Sequence, residues 1–257
     1  MSLLQLKGVT KRFGGLTAVG EVNVAVEPGE IYGLIGPNGA GKTTIFNLIT
    51  AVYQLSEGEV WFDGARIDQL PTHKIVDRGI TRTFQNIRLF KNLTTYENIL
   101  IACHFNENYT FLDAVVKSRK YRSGEANLHA LAEHLLSLMG LSQFRNMVAT
   151  NLPYGIQRRL EIARALALKP KLLLLDEPAA GMNGEETLQL LSLIDQIRKE
   201  FNLSILMIEH HMDLIMKLCD RITVLNFGRE LATGFPKDIQ RHPKVIEAYL
   251  GKEEPSC

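Results

Sequence analysis

Val22, Val24 and Val26 alternate with Asn23 and Ala25, the period-two pattern of a half-buried strand. Leu4, Leu6 and Val9 precede them and the apolar run Ile31-Tyr32-Gly33-Leu34-Ile35 follows, so residues 3 to about 35 read as strands with a turn at Pro28-Gly29. Thr43 to Ala51 reads as a helix, and Glu59 to Phe62 as a strand that ends at an Asp63-Gly64 turn. The period then changes. Leu128, Leu131, Ala132, Leu135, Leu136 and Met139 recur at helical spacing, and Gly140 is placed to end that helix. Gly155 to Ala167 and Glu185 to Phe201 read as further helices, while Lys171 to Leu175 and Leu203 to Ile208 are short apolar runs of strand type. Strand–helix–strand alternation of this kind predicts a parallel sheet, so an α/β core is interrupted by a helical insert.

Composition narrows the class. Of 257 residues, 46% are hydrophobic and 22% charged, which is ordinary for a folded chain and allows one large domain or two small ones. The 29 Lys and Arg against 28 Asp and Glu leave a net charge of +1, which excludes an overall basic coat for nucleic acid. The cysteines, Cys103, Cys219 and Cys257, fit neither a disulfide framework nor a zinc spacing, and a reducing compartment is expected. No apolar run approaches the roughly 20 residues that cross a bilayer. Residues 1–7 lack the basic start and long apolar centre of a signal peptide, so a cytosolic chain is expected.

Two motifs carry chemistry. Gly36-Pro37-Asn38-Gly39-Ala40-Gly41-Lys42-Thr43 matches G-x-x-x-x-G-K-[ST], preceded by a strand and opening a helix. Its glycines let backbone N–H groups close around phosphate, and the helix N-terminus adds positive potential. Lys42 can reach the β- and γ-phosphates and Thr43 can ligate Mg²⁺; Thr44 completes the set expected to touch nucleotide. Leu172-Leu173-Leu174-Leu175-Asp176-Glu177 is a buried strand ending in two carboxylates, at the edge where α/β sheets place ligands. Asp176 would hold Mg²⁺ through water, and Glu177 would accept a proton from attacking water.

Further segments give the chain a family resemblance. Gln85 within Arg82-Thr83-Phe84-Gln85-Asn86, the stretch from Leu152 to Leu166, Ala179-Ala180-Gly181-Met182-Asn183, and His210 after Ile208-Glu209 follow in the order of the ATP-binding cassette (ABC) family. The resemblance covers nearly the whole chain and implies a RecA-like P-loop core with an antiparallel β-subdomain. It implies one cassette over 1–257, with core segments 1–88 and 169–257 and a helical signature subdomain at 89–168. By the same resemblance, Gln85 is a Mg²⁺-sensing glutamine that contacts a membrane partner, His210 a switch histidine, and Phe13 an aromatic that stacks on adenine. Tyr154 and Gly155 stand in the signature, which faces nucleotide held by a second subunit. Read on the residues alone, Gln85 is also open to being an ordinary loop residue and Phe13 a core residue. Lys117, Arg119, Lys120 and Arg122 read as a solvated face or, alternatively, as a contact for anionic lipid or a partner.

The signature departs from the family's L-S-G-G-Q: Pro153 replaces the serine, Tyr154 the first glycine and Ile156 the glutamine, and Asn183 stands where the D-loop usually has aspartate. Within the family the chain is most similar to the ATPase subunit of branched-chain amino-acid importers. Arg12 to Leu16, Ala248 to Gly251 and the insert around 104–127 carry that likeness. Related urea, amide or lipopolysaccharide transporters and a soluble ABC ATPase are the alternatives. The resemblance implies ATP and Mg²⁺, permease subunits, a second ATPase subunit (related or identical), an external solute-binding protein, and a place on the cytoplasmic face of the membrane.

Overall fold

The computed structural model describes residues 2–106, 109–209 and 212–250. Its strands are β1 (Leu4–Phe13), β2 (Leu16–Val26), β3 (Ile31–Ile35), β4 (Glu57–Phe62), β5 (Ala65–Arg66), β6 (Ile80–Arg82), β7 (Leu172–Asp176), β8 (Ser204–Ile208), β9 (Arg221–Asn226) and β10 (Arg229–Gly234). Its helices are α1 (Lys42–Ile49), α2 (Thr72–Asp77), α3 (Thr95–Cys103), α4 (Phe111–Val115), α5 (Arg119–Leu138), α6 (Tyr154–Ala167), α7 (Gly184–Glu200), α8 (Met212–Leu218), α9 (Pro236–Gln240) and α10 (Pro243–Leu250). The chain divides into two compact units, one drawn from 1–82, 171–179 and 194–257, the other from 83–170 and 180–193.

The first unit holds both sheets. One is antiparallel in the order β2-β1-β4-β5. Leu4 and Leu6 of β1 sit opposite Val26 and Val24 on one side and Phe62 and Val60 on the other, so the alternating apolar positions line a single buried face. The second sheet runs β10-β9-β3-β8-β7-β6, parallel except for β10 at its edge. Every residue of β3, β7 and β8 is buried. A strand covered on both faces needs apolar side chains in both directions, which is why these segments read as unbroken hydrophobic runs. Their register matters most for function: Leu34 of β3 and Asp176 of β7 both pair with Ile208 of β8, so three strand ends arrive side by side. This is the RecA-like P-loop core.

In the second unit α3, α5 and α6 pack together. Helix α5 starts earlier than the apolar spacing predicts. Ser118 caps it, accepting from the Tyr121 N–H at 3.2 Å, and the exposed basic residues at its start extend it. Gly140, at φ 66°, follows its C-cap as expected. Helix α3 carries a reciprocal cap between Thr94 and Glu97. Strands β6, β9 and β10 and the short helices α2, α9 and α10 were not expected from the sequence.

Asn98, fully buried on α3, organises the segment ahead of that helix. Its Oδ1 accepts from the Phe90 N–H at 2.9 Å, and its Nδ2 donates to the carbonyls of Phe90, Leu93 and Thr94. An alanine at 98 leaves the Phe90 N–H without its partner, while the carbonyls of Phe90, Leu93 and Thr94 keep the backbone N–H groups of Leu93, Ala149 and residue 98. We expect Asn98→Ala to lower unfolding stability by about 1–3 kcal/mol, measured by urea denaturation.

Candidate active site

The loop between β3 and α1 takes its shape from positions where a side chain does not fit. Gly36 has φ 149°, and a Cβ there would lie 2.2 Å from the Leu225 carbonyl oxygen. Gly41, the N-cap of α1, has φ 98°, and its Cβ would meet the Ala18 carbonyl at 2.8 Å. The Ala40 carbonyl accepts from Gly228 N–H at 3.1 Å, so the β9–β10 turn backs the loop. Lys42 is 5% exposed, and its Nζ donates to the Gly36 and Pro37 carbonyls at 2.6 and 2.9 Å. Burial pulls this ammonium below the ordinary lysine range, and the carboxylates of Glu177 and Asp176 oppose that. The loop thus holds a buried cation on its own carbonyl oxygens.

Asp176 ends β7 at 2% exposure. Its Oδ2 accepts from Arg82 Nη2 at 2.7 Å, and the other arm of that guanidinium reaches Asn47 Oδ1 at 2.7 Å. The ion pair crosses from β7 to β6, where Arg82 pairs in register with Leu174. Thr43 and Asp176 supply a hydroxyl and a carboxylate, the hard oxygens that Mg²⁺ takes alongside phosphates and water, so the residues fit that ion. Glu177 follows at φ 48°, a left-handed conformation that costs a non-glycine residue about 1–3 kcal/mol and turns its side chain away from the strand's alternation. Its N–H is tied to the Ile208 carbonyl at 2.9 Å.

Glu209, 2% exposed, accepts from the Ala179 N–H at 3.0 Å and so ties the end of β8 to the start of the D-loop. His210, expected as the switch histidine, lies outside the described residues. Phe13 is 42% exposed rather than core. Its ring meets Tyr53 edge-on at 5.2 Å, and Lys11 Nζ stands 4.9 Å from its centroid.

In the second unit Gln85 is exposed and its backbone is clamped. Arg158 on α6, fully buried, donates to the carbonyls of Phe84 and Gln85 at 2.7 and 2.9 Å and pairs with Glu161 at 2.7 Å. Glu161 in turn accepts from the N–H groups of Phe84 and Arg88, both at 3.3 Å. Tyr154, at the start of α6, accepts from Arg158 at 3.2 Å, and its ring lies 3.4 Å from where a Cβ on Gly181 would be. Pro153 is the N-cap of α6 and offers no capping side chain. Gly155 faces Glu186. Asn183 has a structural role of its own. Its Oδ1 accepts from Glu186 N–H while Glu186 accepts from Asn183 N–H, a reciprocal cap at the head of α7.

Arg82, Arg158, Glu161 and Glu209 were missed as site residues. Each stands inside or beside a motif, yet a single sequence gives no sign that a charged side chain is turned inward. Cys103 and Cys219 are free and buried, with burial pushing the Cys103 thiol up to about 11.

The Arg158–Glu161 pair generates a double-variant test. Arg158→Met strands a buried carboxylate and is expected to cost about 3–5 kcal/mol, whereas Arg158→Met with Glu161→Leu recovers much of that loss. Urea unfolding of both variants measures it, and equal losses would exclude a stranded charge as the cause.

Comparison with known proteins shows the family. The ABC transporter family matches residues 19–180, and a C-terminal family described as branched-chain amino acid ATP-binding cassette transporter matches 229–255. The chain is 48% identical to the high-affinity branched-chain amino acid transport ATP-binding protein BraF of Pseudomonas aeruginosa, over 97% of this chain and 98% of that one. It is 44% identical to LivG of Escherichia coli K12, described in the same words, with the same coverage of 97% and 98%. The crystal structure of a nucleotide-free ATP-binding cassette from an ABC transporter superposes with a TM-score of 0.84 at 28% identity, covering 98% of this chain and all, 100%, of the other. The fold, the phosphate loop and the likeness along the whole chain have one conclusion: this chain belongs to the ABC transporter family.

Proposed function

We propose that this chain hydrolyses ATP to power an importer of branched-chain amino acids, on permease subunits at the cytoplasmic face of a membrane. The observation that carries the ATPase reading is the first unit's parallel sheet, where the loop with buried Lys42 and the Asp176-Glu177 strand end flank β8. The substrate rests on the likeness to BraF and LivG and on the C-terminal match. Among the described residues no helix is long and apolar enough to cross a membrane, so attachment is through partners.

In this reading the backbone from Gly36 to Thr44 cradles the phosphates and Lys42 neutralises their charge. Thr43 and Asp176 would hold Mg²⁺, which would supply charge neutralisation to the bound phosphates. Arg82 keeps the Asp176 carboxylate oriented. Glu177 takes a proton from the attacking water at its carboxylate, and His210 acts as the switch histidine. Phe13 offers adenine an exposed ring face. Gln85 relays the permease signal, and Arg158 couples its backbone to the signature helix. Tyr154 and Gly155 face the nucleotide of a second ATPase subunit, through the free N–H groups at the head of α6. Each nucleotide then needs two chains, and ATP holds them together. A solute-binding protein delivers the amino acid outside.

Glu177→Gln keeps shape and removes the basic oxygen. Hydrolysis in the assembled transporter should fall about 10²–10⁴-fold while ATP binding survives and a longer-lived dimer appears on size exclusion. Lys42→Ala should lose ATP affinity and the dimer together. A normal rate in Glu177→Gln removes Glu177 as the base.

Deleting the chain should abolish high-affinity uptake of leucine, isoleucine and valine, measured with labelled amino acids. Normal leucine uptake with urea uptake lost would overturn the substrate and leave the ATPase standing.

A further inference from the structure

Helix α4, in the second unit, turns its apolar side to solvent. Leu112, Val115 and Val116 recur at i, i+3 and i+4, which is one helical face, and they are 72%, 62% and 70% exposed. A helix that only covers a core points such a face inward and its polar residues outward. Here the polar residues hold the helix in place instead. Thr110 and Asp113 form a reciprocal cap at its head. The other carboxylate oxygen of Asp113 accepts from the Ser118 hydroxyl at 2.9 Å, its carbonyl accepts from the Ser118 N–H at 2.9 Å, and Ser118 is itself the cap of α5. A helix of five residues does not persist alone in water, so these bonds are what presents the apolar face. Directly beyond it come Lys117, Arg119, Lys120 and Arg122, all exposed. Between 109 and 125 the only acids are Asp113 and Glu125. Asp113 is engaged by Thr110 and Ser118, while Glu125 accepts from the Tyr109 hydroxyl and lies 3.7 Å from His104. The surface beside the apolar face is therefore positive.

We infer that this surface rests on anionic phospholipid: the apolar face of α4 enters the membrane interface, and the basic residues from 117 to 122 meet the headgroup phosphates. The inference rests on the reading above that places the chain beside a membrane. The cytoplasmic leaflet carries a negative surface potential that attracts clustered Lys and Arg. Apolar side chains next to such a cluster add burial at the headgroup boundary. A protein partner fits less well. Protein interfaces gather aromatic anchors and deplete lysine at their centre, whereas here one leucine and two valines stand beside charge of one sign. So short a face makes a weak, reversible contact, which is enough where permease subunits already hold the chain at the surface. The contact sets which side of the second unit faces the bilayer.

Flotation of the full chain with excess vesicles tests this. The chain should rise with vesicles of equal phosphatidylcholine and phosphatidylglycerol, stay behind with phosphatidylcholine alone, and be released by high salt. Lys117→Gln, Arg119→Gln and Arg122→Gln together should lower the partition coefficient about 10–100-fold. Lys120 is kept, because its charge acts on Asp113 at the junction of α4 and α5. Leu112→Gln with Val115→Gln should lower it about three- to tenfold at unchanged net charge, and glutamine keeps the helix. All five positions are exposed, so the thermal midpoint of both variants should match the parental one. A parental chain that does not float on anionic vesicles overturns the inference, and so does parental flotation in either variant. If the parental chain stays behind and the variants lose the permease subunits on copurification in detergent, the surface is a permease contact instead. The importer reading fails separately: a chain that floats, with both variants weakened, but assembles with no permease keeps the lipid surface and loses the importer.

Discussion

A backbone that wraps around phosphate must turn its N–H groups inward, and this leaves its outer side pressed against whatever supports it. Here the supports come so close that side chains are excluded: Leu225 O stands 2.2 Å from a Cβ on Gly36, and Ala18 O 2.8 Å from one on Gly41. The contact runs both ways. Strand β2 must present Ala18 and the β9–β10 turn must present Gly228 at fixed heights, so both sheets are committed to the loop's geometry. Gly228 makes the link explicit, donating to Ala40 and accepting from Gly20 at 2.8 Å.

Within that frame the charged residues are fixed by pairing instead of by packing. Arg82, itself bonded to Asn47, holds Asp176, and Glu209 holds the start of the D-loop. In the second unit Arg158 and Glu161 hold the backbone on either side of Gln85. Hydrogen bonds in a poorly polarisable interior are strong when every partner is present, so such networks define one arrangement sharply.

The sequence made β3, β7, β8 and the helices α1, α6 and α7 legible to within a residue or two, and only the second half of β2, where Val22, Val24 and Val26 are buried. It did not reveal β6, whose three residues are too short to show a period, nor β10, an edge strand with no fully buried position. The loop and the carboxylate strand were legible as motifs, since their chemistry demands particular residues at fixed spacing. Arg158 was not. An arginine on an amphipathic helix looks solvated until the fold shows which carbonyls it meets. Asn183 shows the converse: read as a departure in the D-loop, it proves to be half of a helix cap.

The buried pair on α6 has a consequence for how such chains change over generations. A lineage that loses Arg158 alone, or Glu161 alone, passes through molecules weakened by an uncompensated charge in their interior. Stepwise replacement of the pair is thereby made costly. The two positions should be inherited as one character, exchanged together or kept, while the exposed residues around them drift freely.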